Sequence, residues 1–143
     1  MNSIKLEFVI QNENQILDVK EKLIQNLDFF QFEQDKKNLI EIAFEEMCIN
    51  GIIHGNKNNK NKNLFIQIEI SHQEFKAFIQ DEGDGFSPSV VPETLDFDLL
   101  IDLIEKNETE IFTHGRGIYL TRQYMDQVVY NEKGNSVLIV KKK

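Results

Sequence analysis

An α+β fold, a two-layer sandwich with one mainly antiparallel sheet and helices on one face, is predicted by three observations. Two segments alternate apolar and polar residues as half-buried strands do. Two others carry apolar residues at helical spacing. The elements follow one another as β-α-α-β-β-α-α-β-β, without an internal repeat or a linker, so we expect one domain over residues 1–143.

Ile4–Ile10 sets Ile4, Leu6, Phe8 and Ile10 against Lys5 and Glu7 and reads as a strand. Asn12–Leu27 carries Ile16, Val19, Leu23, Ile24 and Leu27 at helical spacing. A Phe-rich turn follows, and Asp35 is placed to cap a longer helix reaching about His54. Asn56–Asn63 is polar, of low complexity and without a core face, so it reads as an exposed loop. Leu64–Ser71 alternates strictly, and Phe75–Gln80 is its hairpin partner. Between Ser87 and His114 the pattern is mixed: Pro88 and Pro92 break it, and Phe97–Ile104 suits an apolar helix. Arg116–Met125 reads as a helix opened by glycines. Gln127–Tyr130 and Ser136–Lys141 read as two final strands joined at Lys133-Gly134-Asn135.

Composition narrows the function classes. A 143-residue chain with 41% apolar and 28% charged residues can bury a real core. Its formal charge of −8 opposes non-specific contact with a phosphate backbone, so nucleic acid is not an expected partner. Lys141-Lys142-Lys143 reads as a solvated chain end. Cys48 is the only cysteine, which precludes an intrachain disulfide and suits a reducing compartment. No apolar run approaches the roughly 18 residues of a membrane span, and the N-terminus has no signal-peptide pattern. The expectation is a cytoplasmic protein away from membranes.

The long second helix carries the first functional clue. On a wheel of about 100° per residue, Leu39, Ile42, Ala43, Met47, Ile49 and Ile53 share one broad arc, with Glu41 and Glu45 opposite. Glu46, Asn50 and His54, spaced four apart, fall within the apolar arc and stack on one line. Polar groups turned inward must be paired or must face a cavity. One such residue would suit mutual pairing or backbone capping. Three in register, followed by Gly55-Asn56, favour a polar pocket. There the Asn50 side-chain oxygen suits Mg²⁺, and Glu46 suits proton acceptance from an attacking hydroxyl. For His54, a core role and a ligand contact are equally good readings.

Asp81 ends a strand and is followed by Gly83 and Gly85, which let backbone approach a ligand. Its carboxylate suits an exocyclic amine such as adenine's, although an ordinary Asp-Gly turn reads the same way in isolation. A calcium-binding EF-hand loop fails, because Gly83 and Pro92 stand where oxygen ligands are needed. Thr113-His114-Gly115-Arg116-Gly117 places an arginine between glycines at an expected helix start, an arrangement suited to phosphate. Only two arginines, Arg116 and Arg122, occur beside fourteen lysines. The P-loop and the dinucleotide-binding glycine motif are both absent.

In order, Glu46-x-x-x-Asn50 with His54-Gly55, Asp81-x-Gly83-x-Gly85 and Gly115-x-Gly117 resemble the N-box, G1 box and G2 box of the GHKL superfamily, whose ATP-binding unit is the Bergerat fold. Within it the chain is similar to the anti-sigma-factor serine kinases, through Glu45–Gly55, Asp81–Phe86, Gly115–Leu120 and Tyr130–Asn135. That resemblance implies ATP and Mg²⁺ as cofactors. It implies ATP contacts from Asn50, His54, Asp81, Gly83, Gly85, Thr113, Gly115, Arg116 and Gly117, with Asn50 on the metal. It implies Glu46 as the base that activates a serine on an anti-anti-sigma (STAS-type) protein. It further implies a homodimer and, in some members, a sigma factor as partner. A non-catalytic, ATP-dependent interaction switch is the alternative.

Overall fold

The computed structural model describes residues 1–86 and 109–143, with 109–116 described as backbone. The expected apolar helix Phe97–Ile104 lies outside these residues. Five described strands, β1 (Ser3–Ile10), β2 (Leu64–Ser71), β3 (Glu74–Gln80), β4 (Gln127–Tyr130) and β5 (Ser136–Lys142), form one sheet. Its order is β1-β2-β3-β5-β4, and every neighbouring pair is antiparallel. Helices α1 (Asn14–Phe29), α2 (Gln34–Ile49) and α3 (Thr109–Tyr124) pack on one face, as the sequence predicts.

Side-chain alternation decides which face is covered. Leu64, Ile66, Ile68 and Ile70 of β2 are buried, as are Phe75, Ala77 and Ile79 of β3. Phe65, Gln67 and Glu69 point to the open side. Register places Phe8, Ile66, Ile79, Val137 and Tyr130 in one row beneath the helices. Helix α1 lays Ile16, Val19, Leu23 and Leu27 on this layer. Lys20 then ties α1 to α2 through Glu41 at 3.2 Å and Glu45 at 2.9 Å.

Helix α2 departs from its expected orientation. Its buried residues are Ile40, Ala43, Phe44, Met47 and Cys48. Ile42 is exposed, and Leu39, Ile49 and Ile53 are half-buried. The sequence carries two overlapping apolar stripes, and contacts with α1, α3 and the sheet select the one containing Phe44. Asn50 and Glu46 consequently lie at the margin of the core face rather than at its centre. Asp35 is not the cap; Glu33 occupies that position without a side-chain bond, and Asp35 sits in the first turn, where its charge suits the helix dipole. After Ile49 the helix widens into a π-helical turn over Asn50–Gly55, closed by Asn56 N–H donating to Gly51 O at 2.8 Å. Such insertions recur at functional sites because they re-aim side chains.

Helix α3 begins at Thr109, earlier than the expected start at Arg116. Gly115 and Gly117 therefore lie inside the helix. Thr121 Oγ1 donates back to Gly117 O at 2.8 Å, a buried bond across one turn.

Ile68→Ala in the middle of the covered face should destabilise the protein by about 2–5 kcal/mol. Gln67→Ala on the open face should stay within about 0.5 kcal/mol. Urea unfolding of both variants checks the assigned faces.

Candidate functional site

A cavity of about 230 Å³ opens between the end of α2, its π-helical turn and the adjoining ends of β3 and β5. Asn50 and His54 enter it from the helix side, Asp81 and Gly85 from the turn after β3, and Tyr130 and Ser136 from β4 and β5. Two of the three predicted stretches, Asn50 with His54 and Asp81 with Gly85, are thus brought to one place, and the pairing of β3 with β5 adds Ser136 beside them.

Asp81 is fixed by its neighbours on three sides. Its Oδ1 accepts the Gly83 N–H at 2.7 Å. Its backbone N–H donates to Asn135 O at 2.9 Å, and its carbonyl accepts Asn135 Nδ2 at 3.2 Å. The carboxyl lies against Gly55 so closely that any Cβ there would overlap it. Burial raises the Asp81 pKa above the usual carboxylate range, and the Gly83 N–H, Lys133 and Lys62 partly offset it. Among the described residues only Oδ1 of the carboxylate accepts a hydrogen bond, which leaves acceptor capacity at the cavity.

The turn after Asp81 fits the β4–β5 turn through two glycines. Gly85 and Gly134 both have φ +82. A Cβ on Gly85 would meet the Lys133 carbonyl, and one on Gly134 the Phe86 carbonyl. Asn131 Oδ1 gathers the N–H groups of Gly134, Asn135 and Ser136 at 2.8, 3.0 and 3.1 Å, which shapes that turn. Asn56, read from the sequence as the start of an exposed loop, is buried instead. Its Oδ1 accepts Glu82 N–H at 2.8 Å and its Nδ2 donates to Asn63 O at 3.0 Å, which buckles the loop onto the Asp81 turn.

Asn50 is 8% exposed, and its Nδ2 has no hydrogen-bond partner among the described residues. An orphaned buried amide is costly, so it calls for a ligand atom. Half a turn about its Cβ–Cγ bond would present the oxygen at the same point. Among the described residues no three His, Cys, Asp or Glu side chains cluster as metal ligands. A divalent ion at this cavity would therefore rest on Asn50 and on oxygens brought by its ligand. Mg²⁺ commonly binds with substrate phosphates in this way, so the residues present fit a Mg²⁺–nucleotide pair.

Glu46 is half-buried, one turn before Asn50, and faces the α2–α3 seam rather than the cavity wall. Its Oε2 lies 2.6 Å from where a Cβ on Gly117 would stand, and Asn50 Nδ2 lies 3.4 Å from the same point. Gly117 thus lets α3 close over both side chains. Gly83 underpins Asp81 without lining the cavity. The backbone of Thr113, Gly115 and Arg116 belongs to α3. A helix beginning at Thr109 has its free N–H groups in the first turn, so the expectation of a phosphate-ready helix start at Gly115 does not hold in this conformation.

Sequence reasoning missed part of the wall. Phe86 and Tyr130 meet edge to face with centroids 5.2 Å apart, and Tyr130 Oη donates to Met47 Sδ at 3.3 Å. Burial raises the phenol pKa; Arg122 opposes this and Asp81 adds to it. Ser136 is buried at the start of β5. Tyr130 and Ser136 follow the strand pattern, so nothing in their spacing marks them as cavity residues.

Known proteins are similar to this chain in sequence. Residues 13–141 match the family model of the histidine kinase-like ATPase domain. Over 105 residues the chain is 31% identical to the serine-protein kinase RsbW of Staphylococcus aureus (strain MSSA476), covering 71% of this chain and 62% of that protein. Over 112 residues it is 27% identical to the serine-protein kinase RsbW of Bacillus subtilis (strain 168), with the same coverage. The chain spans about 62% of the length of these relatives. No helix among the described residues is long and apolar enough to cross a membrane. With a family match over nearly its whole length, and a cavity assembled from the ends of α2, β3 and β5, the chain belongs to the histidine kinase-like ATPase domain family.

Proposed function

We propose that the cavity binds ATP with Mg²⁺ and that the chain is a protein-serine kinase. Its substrate is a small regulatory protein of the anti-anti-sigma (STAS) type, a sigma factor is its second partner, and a homodimer is its working assembly. The observation that carries the reading is an orphaned, buried Asn50 amide on the same cavity wall as the Asp81 carboxylate. Family membership and the serine-protein kinase relatives support it.

Asp81 accepts a hydrogen bond from the adenine amine. Asn50 would hold Mg²⁺ through its side-chain oxygen, and the chemistry supplied there would be neutralisation of phosphate charge. Gly115, Arg116 and Gly117 act on the phosphate tail, with Thr113 and His54 beside it. The latter role requires the first turns of α3 to open from the helical form described above. Glu46 takes the proton of the partner's serine hydroxyl. The serine oxygen bonds to the γ-phosphorus, the bond from that phosphorus to the β–γ bridging oxygen breaks, and ADP leaves with the electron pair.

A second reading has its own observation. Glu46 packs against Gly117 at the α2–α3 seam and does not line the cavity. If α3 keeps that position with ATP bound, the protein is a nucleotide-dependent interaction switch without phosphoryl transfer. With labelled ATP, Mg²⁺ and a cognate STAS-type protein, the kinase reading expects label on serine. Glu46→Gln should reduce transfer by at least about 100-fold, as loss of a general base does, with ATP affinity unchanged. Partner binding that needs ATP, with no labelled product, would establish the switch instead.

Calorimetry should give micromolar ATP binding, and Asp81→Asn should weaken it about 10- to 100-fold, the worth of a hydrogen bond to a charged group. The same variant should gain stability. The folded-state pKa of Asp81 lies above its unfolded value. Its stabilising contribution is therefore complete below the unfolded pKa and is lost as pH rises through the folded one. Once ionised, the carboxylate carries its charge in a partly dry site, and asparagine relieves that cost while keeping an acceptor for Gly83 N–H. Asp81→Asn should melt higher than the parent at pH 7 without nucleotide, and the difference should shrink as the pH falls toward 4.

A further inference from the structure

Strand β1 is one edge of the described sheet, paired with β2 on one side only. Its other side presents backbone N–H and C=O groups that no described strand takes up. Proteins ordinarily blunt such an edge by shortening it, bulging it or placing proline in it. The opposite edge, β4, has four residues. Strand β1 has eight, holds no proline, and pairs with β2 residue for residue from Ser3 to Ile10. Toward the helices it carries Ile4, Leu6 and Phe8, which pack on the core yet stay only half-buried. Another strand alongside would complete their burial.

The open face of β1 shows which strand fits. Lys5 stands opposite Glu69, and Glu69 opposite Lys76, so that row of the sheet alternates in sign. The row of Glu7 continues with Gln67 and Phe78 and holds no cation on those strands. Gln67 Nε2 lies 3.5 Å from Glu7 Oε1, a weak contact. Along β1 the order is Ile4-Lys5-Leu6-Glu7-Phe8, with opposite charges on either side of Leu6 and apolar residues beyond them. An antiparallel second β1, related by a two-fold axis at Leu6, sets Lys5 against the partner's Glu7 and Ile4 against the partner's Phe8. A slip of one residue would put apolar against polar faces. An axis at Lys5 or at Glu7 would oppose like charges, which is unfavourable for residues directly across a strand pair.

We propose that β1 is the docking surface for a second copy of this chain. The two sheets join edge to edge about Leu6, with Lys5 and Glu7 paired reciprocally across the axis and both helix layers on one side of a continuous sheet. The inference rests on the homodimer of the proposed function and deepens it by naming the interface; it needs neither ATP nor phosphoryl transfer.

The test is sedimentation equilibrium of the full chain without nucleotide, for the parent, for Lys5→Glu, for Glu7→Lys, and for the two variants mixed. The parent should be dimeric. Either reversal opposes like charges twice per dimer and should weaken self-association at least about fivefold. The mixture regains both opposite pairs and should form a heterodimer about as tight as the parent dimer. General repulsion between acidic chains would instead be relieved by Glu7→Lys, so tighter association of that variant would overturn the proposal. Weakening in both variants without recovery on mixing would overturn it too. A dimer indifferent to either reversal would overturn the β1 interface and leave the homodimer reading standing on another surface. A monomeric parent would overturn both. Loss of ATP binding or of phosphoryl transfer would not alter these results, so the two failures stay distinct.

Discussion

Holding the Asp81 carboxylate partly buried at the end of β3 requires backbone segments to come closer than side chains normally permit. Gly55 brings the end of the π-helical turn against the carboxyl. Gly83 turns its N–H onto Oδ1. Gly85 and Gly134, both left-handed, let the following turn and the β4–β5 turn interlock. Asn131, Asn135 and Asn56 then satisfy the backbone groups these turns would otherwise strand. Four glycines and three asparagines thus support one carboxylate, and the cavity exists because they meet.

The helix side obeys a related constraint. The buried stripe of α2 is set by Ile40, Phe44 and Cys48. That choice leaves Glu46 and Asn50 on the edge between core and seam, and the widened turn after Ile49 carries His54 to the same cavity. Gly117 lets α3 pack over Glu46 and Asn50. A glycine within a helix costs about 1 kcal/mol relative to alanine. Here that residue is needed for close approach, since any larger side chain would displace the carboxylate or the helix.

The site is accordingly the least comfortable part of the fold. It holds an amide without a partner among the described residues, a carboxylate kept partly dry, and, beside it, consecutive left-handed residues Lys57 and Asn58 at φ 54 and 56. None of these features helps the ligand-free protein. The compensation lies in the sheet, where β2 and β3 bury seven consecutive inward side chains from Leu64 to Ile79. Local strain at a functional site sustained by a well-packed remainder is the usual division of stability in a protein.

The sequence by itself determined the strands and the amphipathic first helix, because periods of 2 and 3.6 are local properties of the chain. It also determined the chemical inventory, since an Asp ahead of spaced glycines and polar residues four apart on a helix are visible in the linear order. Only the tertiary structure decided which stripe of α2 faces inward, because Ile42 and Phe44 are equally apolar and just one can meet the sheet. Only tertiary packing placed Tyr130, Phe86 and Ser136 on the cavity wall, through a strand register that joins residues far apart in sequence. It also decided that Gly115 and Gly117 lie within a helix. Sequence reading puts glycines at helix ends by propensity, but contact between α3 and Glu46 overrides that preference.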